Sequence, residues 1–173
     1  MIHPKKIKVY LACSSEGVKN NLDYYAKIHE TVVACGGQVE SKWISRVIKN
    51  KGSLSRKNPR LKEEAIEVLN TCDCLIADVS FPSISVGYQI YHAVSKNIPT
   101  LVLLSREIGS GKVPQVVEAI RSPKLIIRKY TTLELRGLLA NFFKLIKGSK
   151  WIKFNCVITP EIYSFLDKGS KKF

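Results

Sequence analysis

The segment Asp78–Gln89 (DVSFPSISVGYQ) holds the side chains best suited to bind a small polar ligand. Serines at positions 80, 83 and 85 offer hydroxyl groups, and Gly87 would let a ligand approach the backbone closely. Because the first turn of a helix has free N–H groups, serines that precede a helix are typical of an anion site. They are also typical of an ordinary strand-to-helix turn that a serine caps, so both interpretations stay open.

A second small polar loop, Cys13–Gly17, follows the first apolar run of the chain and contributes Ser14. Neither loop has the GxGxxG spacing of a dinucleotide-binding turn, and the chain contains no GxxxxGKS/T motif. The sequence therefore argues against a dinucleotide fingerprint and against a P-loop.

Two carboxylates border these loops and could act as acids, bases or nucleophiles. Asp78 ends a predicted strand, where catalytic acids are common, although it could equally cap the next loop by accepting backbone N–H bonds. Glu16, in the first loop, is more typical of a solvent-exposed residue. His92 lies one helical turn beyond Gln89 and is more typical of a packing or surface histidine.

The five cysteines indicate neither a disulfide framework nor a metal site. Their number is odd, and Cys72 and Cys74 are too close together in sequence for a zinc knuckle. We interpret the cysteines as buried thiols and expect no metal and no cofactor.

The formal net charge of +14 favours anionic partners such as nucleotides, nucleic acid or acidic lipid headgroups. Basic residues are spread along the chain, with denser patches at Lys49–Arg60 and Gly169–Phe173. No aromatic stripe or helix-turn-helix pattern accompanies them. A solvated basic surface is the simpler interpretation, and specific nucleic-acid binding is the weaker alternative.

Alternating apolar and amphipathic stretches predict the elements that must position these residues. The predicted strands are Ile7–Cys13, Gln38–Ile44, Cys72–Val79, Thr100–Leu104 and Lys124–Arg128. The predicted helices are Asn21–Cys35, Leu61–Asn70, Val86–Ser95, Val113–Arg121 and Thr132–Lys147. Ser45–Arg60 is polar and basic, which predicts a long loop that could serve as a lid over the site.

Strands that alternate with helices predict an α/β fold in which helices cover both faces of a parallel sheet. Five strands favour the flavodoxin-like, Rossmann-like order 2-1-3-4-5, in which ligands bind where the chain reverses between strands one and three. This topology selects the loops Ser14–Gly17 and Ser80–Gly87.

We expect one domain over residues 1–150, followed by a C-terminal extension over residues 151–173. Thr159, Pro160 and Glu161 indicate the start of a short helix that packs on the domain or on a neighbour. No run is long and apolar enough to span a bilayer, and the basic N-terminus lacks the features of a secretory signal. We therefore expect a cytoplasmic protein without membrane association.

Three stretches resemble one known family: VYLA around Tyr10, CDCLIADVSFPSISVGYQIYHA over residues 72–93, and IPTLVLLS over residues 98–105. They resemble the nucleoside 2-deoxyribosyltransferase superfamily, and are most similar to its branch that hydrolyses 2'-deoxynucleoside 5'-monophosphates. The likeness covers most of residues 7–128. It implies a nucleoside or nucleotide ligand, hydrolase or transferase chemistry at the N-glycosidic bond, and a homo-oligomer, such as a dimer, in which a neighbour completes the site.

The resemblance also implies roles for single residues at the phosphate end of the ligand. Ser83 matches the serine that contacts the 5'-phosphate. Ser14, Ser85 and Gly87 join it as the expected phosphate-binding set, with Ser85 adding a hydroxyl where the family has glycine.

At the sugar end, Tyr10 matches a tyrosine beside the nucleophile. Gln89 occupies the position of the catalytic glutamate, which attacks the anomeric carbon to give a covalent sugar ester. Since an amide is a poor nucleophile, catalysis would need a displaced carboxylate such as Asp78 or Glu64. The family's supporting aspartate falls near Ala65, so Glu64 could replace it only with a shifted helix register.

Three functions follow from these residues. The first is an N-glycosidase or deoxyribosyltransferase that uses a displaced carboxylate. The second is a nucleotide-binding pseudoenzyme or sensor that keeps the pocket without the nucleophile. The third is a basic protein that reuses the fold to bind nucleic acid or a membrane. The apolar face of Val113–Ile120 and the predicted tail helix Glu161–Leu166 are the candidate oligomer contacts.

Overall fold

The computed structural model describes residues 5–51 and 61–148 of the chain. The strands are β1 Ile7–Ala12, β2 Gly37–Val39, β3 Cys74–Asp78, β4 Thr100–Ser105 and β5 Leu125–Tyr130. The helices are α1 Ser15–Asn20, α2 Leu22–Ala34, α3 Lys42–Lys49, α4 Leu61–Asn70, α5 Ile84–Ser95, α6 Gln115–Glu118 and α7 Leu135–Lys147.

The described strands form one parallel sheet in the order β2-β1-β3-β4-β5, which confirms the predicted topology. Every residue of β3 and β4 is buried, because both central strands are covered on both faces by helices. Strand β2 lies on one side of β1 and β3 lies on the other, so the direction in which strands are added to the sheet reverses at β1. The loops after the parallel strands β1 and β3 therefore leave the same edge of the sheet side by side.

Each face of the sheet carries its own hydrophobic core. Leu11 and Ile76 point to the layer that contains α2, α3 and α7, whereas Tyr10 and Leu75 point to the layer that contains α4, α5 and α6. This separation follows from the pleat, since successive side chains of a strand face opposite sides. Neighbouring residues of one strand therefore serve different layers.

The stretch after β2 differs from its prediction. The second strand was expected to run to Ile44 and the loop to span Ser45–Arg60, but helix α3 occupies Lys42–Lys49. The helix forms because Ile44 and Val47, three residues apart, are both buried in the core that also holds α2 and α7. The loop prediction is therefore wrong for residues 45–49, and residues 52–60 lie outside the described part of the chain.

Two further predictions concern segments that the described residues do not reach. The C-terminal extension, 151–173, lies outside them, and so does the predicted tail helix. Within the described ranges, no helix is both long and apolar enough to cross a membrane.

Candidate functional site

The contact between Tyr10 and Gln89 joins β1 to α5 at the switch point of the sheet. The side-chain amide of Gln89 donates a hydrogen bond from Nε2 to the Tyr10 hydroxyl oxygen at 3.2 Å. Burial raises the pKa of Tyr10 to about 12, so the phenol stays neutral at physiological pH. Because its oxygen already accepts from Gln89, the hydroxyl hydrogen of Tyr10 is available for another acceptor.

Helix α5 presents Gln89 and Gly87 on different flanks. Two residues along a helix correspond to a rotation of about 160° around the axis. On one flank, Gln89 reaches Tyr10, and His92 hydrogen-bonds Asn70 of α4 at 2.8 Å. On the other flank, Gly87 and Tyr91 line a cavity that α6 closes.

The N-terminus of α5 is capped by Ser83. Its backbone is extended, and its hydroxyl oxygen accepts a hydrogen bond from the Val86 N–H at 3.4 Å. Ser85 is exposed one residue into the first turn, and a Cβ placed on Gly87 would meet no atom within 4 Å. The helix end is therefore open to a ligand, and its unpaired N–H groups favour a negatively charged one.

Ser14 plays the same capping part for the short helix α1. It is buried, and its hydroxyl oxygen accepts from the Gly17 N–H at 3.3 Å. A Cβ on Gly17 would come within 2.8 Å of the Phe81 ring, so the first loop packs directly against the segment Asp78–Gln89. The structure thus brings together the two loops that the topology selected.

Asp78 lies on the other face of the sheet from Tyr10. It is fully buried, and its carboxylate accepts hydrogen bonds from the Tyr25 hydroxyl at 2.9 Å and from the Ser80 N–H at 3.1 Å. The Ser80 and Tyr130 hydroxyls donate to its second oxygen at 2.9 and 3.4 Å. Burial raises the pKa of Asp78 to about 6, although each of these hydrogen bonds lowers it. This geometry matches the loop-capping interpretation of Asp78.

Glu64 is exposed on α4, while Ala65 packs against the core that contains Tyr10. The helix therefore turns the alanine, rather than the glutamate, toward the predicted site. The structure brings Tyr10 and Gln89 together, and it leaves Asp78 and Glu64 away from that pair. Among the described residues, no cluster of three histidine, cysteine or acidic side chains could hold a metal ion.

The sequence pattern does not single out the tyrosines around Asp78 as site residues. Tyr25 is buried on α2 and Tyr130 ends β5, and the Tyr24 hydroxyl hydrogen-bonds that of Tyr130. The usable signal was position: Tyr130 ends a strand at the same edge of the sheet as Asp78. It was overlooked because the fifth strand was predicted to end at Arg128.

An apolar cavity of about 470 Å³ separates α5 from α6 beside the capped helix end. One wall includes Ser83, which caps α5, together with Gly87 and Tyr91 of the helix. The other wall includes Val117 of α6 and Ile120, two residues after that helix ends. Tyr10 and Gln89 do not line it. The cavity is large enough for a small molecule, but it touches only the expected phosphate end of the site.

No family model matches the chain. A protein of Methanococcoides burtonii, provisionally named 2'-deoxynucleoside 5'-phosphate N-hydrolase 1, is 32% identical over 96 residues, which are 55% of this chain and 78% of the relative. A protein of Thermofilum pendens with the same provisional name is 30% identical over 103 residues, 58% of this chain and 70% of the relative. The chain belongs to the 2'-deoxynucleoside 5'-phosphate N-hydrolase family.

The chain is also similar to the 5-hydroxymethyl-dUMP N-hydrolase of Danio rerio. It is 21% identical over 138 residues, which are 80% of this chain and 96% of the zebrafish protein. The likeness therefore extends over nearly the whole length of a eukaryotic relative. The resemblance inferred from the three sequence stretches is confirmed at the level of the family.

Proposed function

We propose that this chain binds a deoxynucleoside 5'-monophosphate at the carboxyl ends of β1 and β3. The phosphate lies at the N-terminus of α5, and the sugar lies at Tyr10 and Gln89. The observation that carries this proposal is the hydrogen bond from Gln89 to Tyr10 of β1. Gln89 lies on α5, the helix whose N-terminus Ser83 caps. The family relatives support this ligand class, since their provisional names describe hydrolases of 2'-deoxynucleoside 5'-phosphates.

The phosphate end of the proposed site is built from neutral donors. The first turn of α5 supplies N–H groups and the positive end of the helix dipole, and Ser83 and Ser85 add hydroxyls. Gly87 leaves open space beside the backbone, and we assign Ser14 to the same end because its loop packs on Phe81. The net charge of +14 supports an anionic ligand without specifying one.

The sugar end of the proposed site is neutral as well, and this favours a second candidate function. Cleavage of an N-glycosidic bond proceeds through a positively charged, oxocarbenium-like sugar that a carboxylate stabilises or attacks. Gln89 carries no charge, Asp78 is buried on the opposite face of the sheet, and Glu64 is exposed. These positions favour a nucleotide-binding protein of impaired catalysis, such as a pseudoenzyme or sensor, over an N-glycosidase with a displaced carboxylate.

A titration with matched ligands tests the proposal. We expect 2'-deoxyadenosine 5'-monophosphate to bind at least about tenfold more tightly than 2'-deoxyadenosine, because only the nucleotide reaches the end of α5. Incubation followed by chromatography should show no free adenine. Absence of binding by every deoxynucleoside monophosphate would overturn the proposal. Base release that disappears in Asp78→Ala or Glu64→Ala would instead favour the displaced carboxylate.

The exposed apolar rim of the cavity supports a homodimer. Ile84, Tyr88 and Tyr91 of α5, together with Val116 of α6, are large hydrophobic side chains that face solvent. Side chains clustered in this way mark association surfaces more often than scattered ones do. The segment Val113–Ile120, expected from the sequence as an oligomer contact, contributes to this rim.

A further inference from the structure

Ser80 is a fully buried serine whose polar groups are all engaged. Its N–H and hydroxyl both donate to the Asp78 carboxylate, at 3.1 and 2.9 Å. Its hydroxyl oxygen also accepts from the Ser105 N–H at 2.9 Å, and its carbonyl oxygen accepts from the Ser110 N–H at 2.9 Å. Ser80 therefore joins the loop after β3 to the loop after β4.

The loop after β4 fits tightly against Ser80. The Ser105 hydroxyl oxygen accepts from the N–H groups of Glu107 and Ile108, which fixes the start of that loop. Gly109 has a φ of +83°, and a Cβ at this position would lie 2.0 Å from the Ser80 carbonyl oxygen. Only glycine allows this approach, because its backbone conformation is strained for other residues and a side chain would displace Ser80.

The two loops that Ser80 joins carry the two walls of the cavity. The first loop continues through Phe81 to Ser83 and the start of α5, and the second continues to Pro114 and α6. The Asp78 carboxylate accepts hydrogen bonds from Ser80. The hydroxyl groups of Tyr25 on α2 and Tyr130 on β5 donate to the same carboxylate and fix its position. The position of the phosphate end is thus tied to the buried carboxylate through one side chain.

We propose that Asp78 and Ser80 are positioning residues that hold the N-terminus of α5 in place for the ligand's phosphate. This assignment rests on the proposed function for the ligand, but the positioning itself is a property of the loops. It gives Asp78 a role that needs no contact with the sugar. It also explains Gly109, which lies outside every sequence motif: this glycine allows the loop after β4 to pack against Ser80.

Two variants disturb the junction from opposite sides. Ser80→Ala removes both side-chain hydrogen bonds, and Gly109→Ala pushes the second loop away from Ser80. Thr31→Val is the matched control, because it removes a buried hydroxyl that bonds the Lys27 carbonyl within α2, away from both loops. If Ser80→Ala fails to fold, Gly109→Ala carries the test alone.

Amide hydrogen exchange is the first readout, since it needs no ligand. We expect both variants to speed the exchange of residues 83–87 and 106–112 at least about fivefold over Thr31→Val, because their anchoring hydrogen bonds are lost. Unchanged exchange in these segments would overturn the positioning role, whether or not the wild type binds nucleotide.

The affinity for two probes is the second readout. We expect both variants to weaken 2'-deoxyadenosine 5'-monophosphate at least about tenfold and 2'-deoxyadenosine by less than about twofold. An equal loss for both probes would show a merely structural effect and contradict the proposal. A wild type that binds neither probe, with the expected exchange result, would sink the proposed function and leave the positioning of the loops supported.

Discussion

We propose that Gln89 limits what the site can do to a nucleotide. Its amide bonds the neutral Tyr10 hydroxyl, so the sugar end of the site holds polar groups but no charge. A glutamate of the same length would place a carboxylate beside Tyr10, where the phenol could donate to it. On this proposal, exchanging the amide nitrogen of residue 89 for an oxygen would supply the carboxylate that nucleophilic attack needs.

Asp78 makes folding stability depend on pH in an unusual direction. Its pKa rises from an ordinary 3.8 to about 6 on burial, so the folded state binds a proton more tightly than the unfolded state between these values. Its contribution to the free energy of unfolding is therefore greatest below pH 4 and is lost as the pH rises through 6. We expect the stability of wild type relative to Asp78→Asn to fall by about 1 kcal/mol between pH 5 and pH 7.5.

Chemical denaturation of both proteins at the two pH values measures this difference. The neighbouring groups Cys13, Tyr24, Tyr25 and Tyr130 all have a raised pKa and stay neutral over this range. Among these described neighbours, Asp78 is therefore the group that changes its protonation state between pH 5 and pH 7.5. A difference that stays constant or grows toward pH 7.5 would show that burial does not dominate its pKa.

The sequence predicts the contact between Tyr10 and Gln89 better than it predicts the surroundings of Asp78. The family resemblance predicted that Tyr10 and Gln89 belong to one site, and the hydrogen bond between them agrees with this. The surroundings of Asp78 were not predicted, since Tyr25 and Tyr130 lie 53 and 52 residues away along the chain. Tyr25 reaches Asp78 because α2 packs on that face of the sheet, and Tyr130 reaches it because it is the last residue of β5.

At the scale of the helix, Ser83 combines a structural and a binding role that can be separated. Ser83→Ala removes the N-cap of α5, which should cost about 1 kcal/mol of stability and weaken binding of a 5'-monophosphate. Ser83→Asp keeps a capping oxygen but adds a negative charge at the proposed phosphate site. We expect it to retain most of the stability and to bind the monophosphate more weakly than Ser83→Ala does.

Thermal denaturation and calorimetric titration of the three proteins supply the comparison. Binding of 2'-deoxyadenosine should be similar in all of them, since it carries no phosphate. If Ser83→Asp bound the monophosphate as well as wild type, the phosphate would have to lie elsewhere.

The uninterrupted apolar strands were predicted, whereas one amphipathic helix was divided between a strand and a loop. The uninterrupted apolar runs of β3 and β4 indicated central strands, and the structure buries both completely. Helix α3 was missed because its first residues were assigned to the second strand and the rest to a polar loop, although Trp43, Ile44, Val47 and Ile48 recur at helical spacing. The burial of Ile44 and Val47, with Trp43 and Ile48 packed beside them, shows that this helical spacing was the signal that mattered.

At the scale of the whole molecule, the exposed rim of the cavity predicts self-association. Ile84, on α5, is 95% exposed, although isoleucine is among the residues most often buried. We expect Ile84→Glu to shift the protein from dimer to monomer in sedimentation velocity, because a charge would have to be buried in the contact.

Leu133 offers a matched control for this experiment. It is 93% exposed and precedes α7, which packs on the opposite face of the sheet from α5. Leu133→Glu should therefore leave the dimer intact. A wild type that sediments as a monomer at micromolar concentration, or a dimer that persists in Ile84→Glu and breaks in Leu133→Glu, would contradict the assignment.

We propose that the chain keeps a nucleotide site and that residue 89 limits the chemistry in it. The most direct test is the release of free base from 2'-deoxyadenosine 5'-monophosphate by wild type and by Gln89→Glu, with binding confirmed for both. We predict that Gln89→Glu releases adenine at least about 100-fold faster than wild type, since it restores a carboxylate nucleophile beside Tyr10. Equal rates in the two proteins, or a variant that binds the nucleotide and releases no base, would contradict the account.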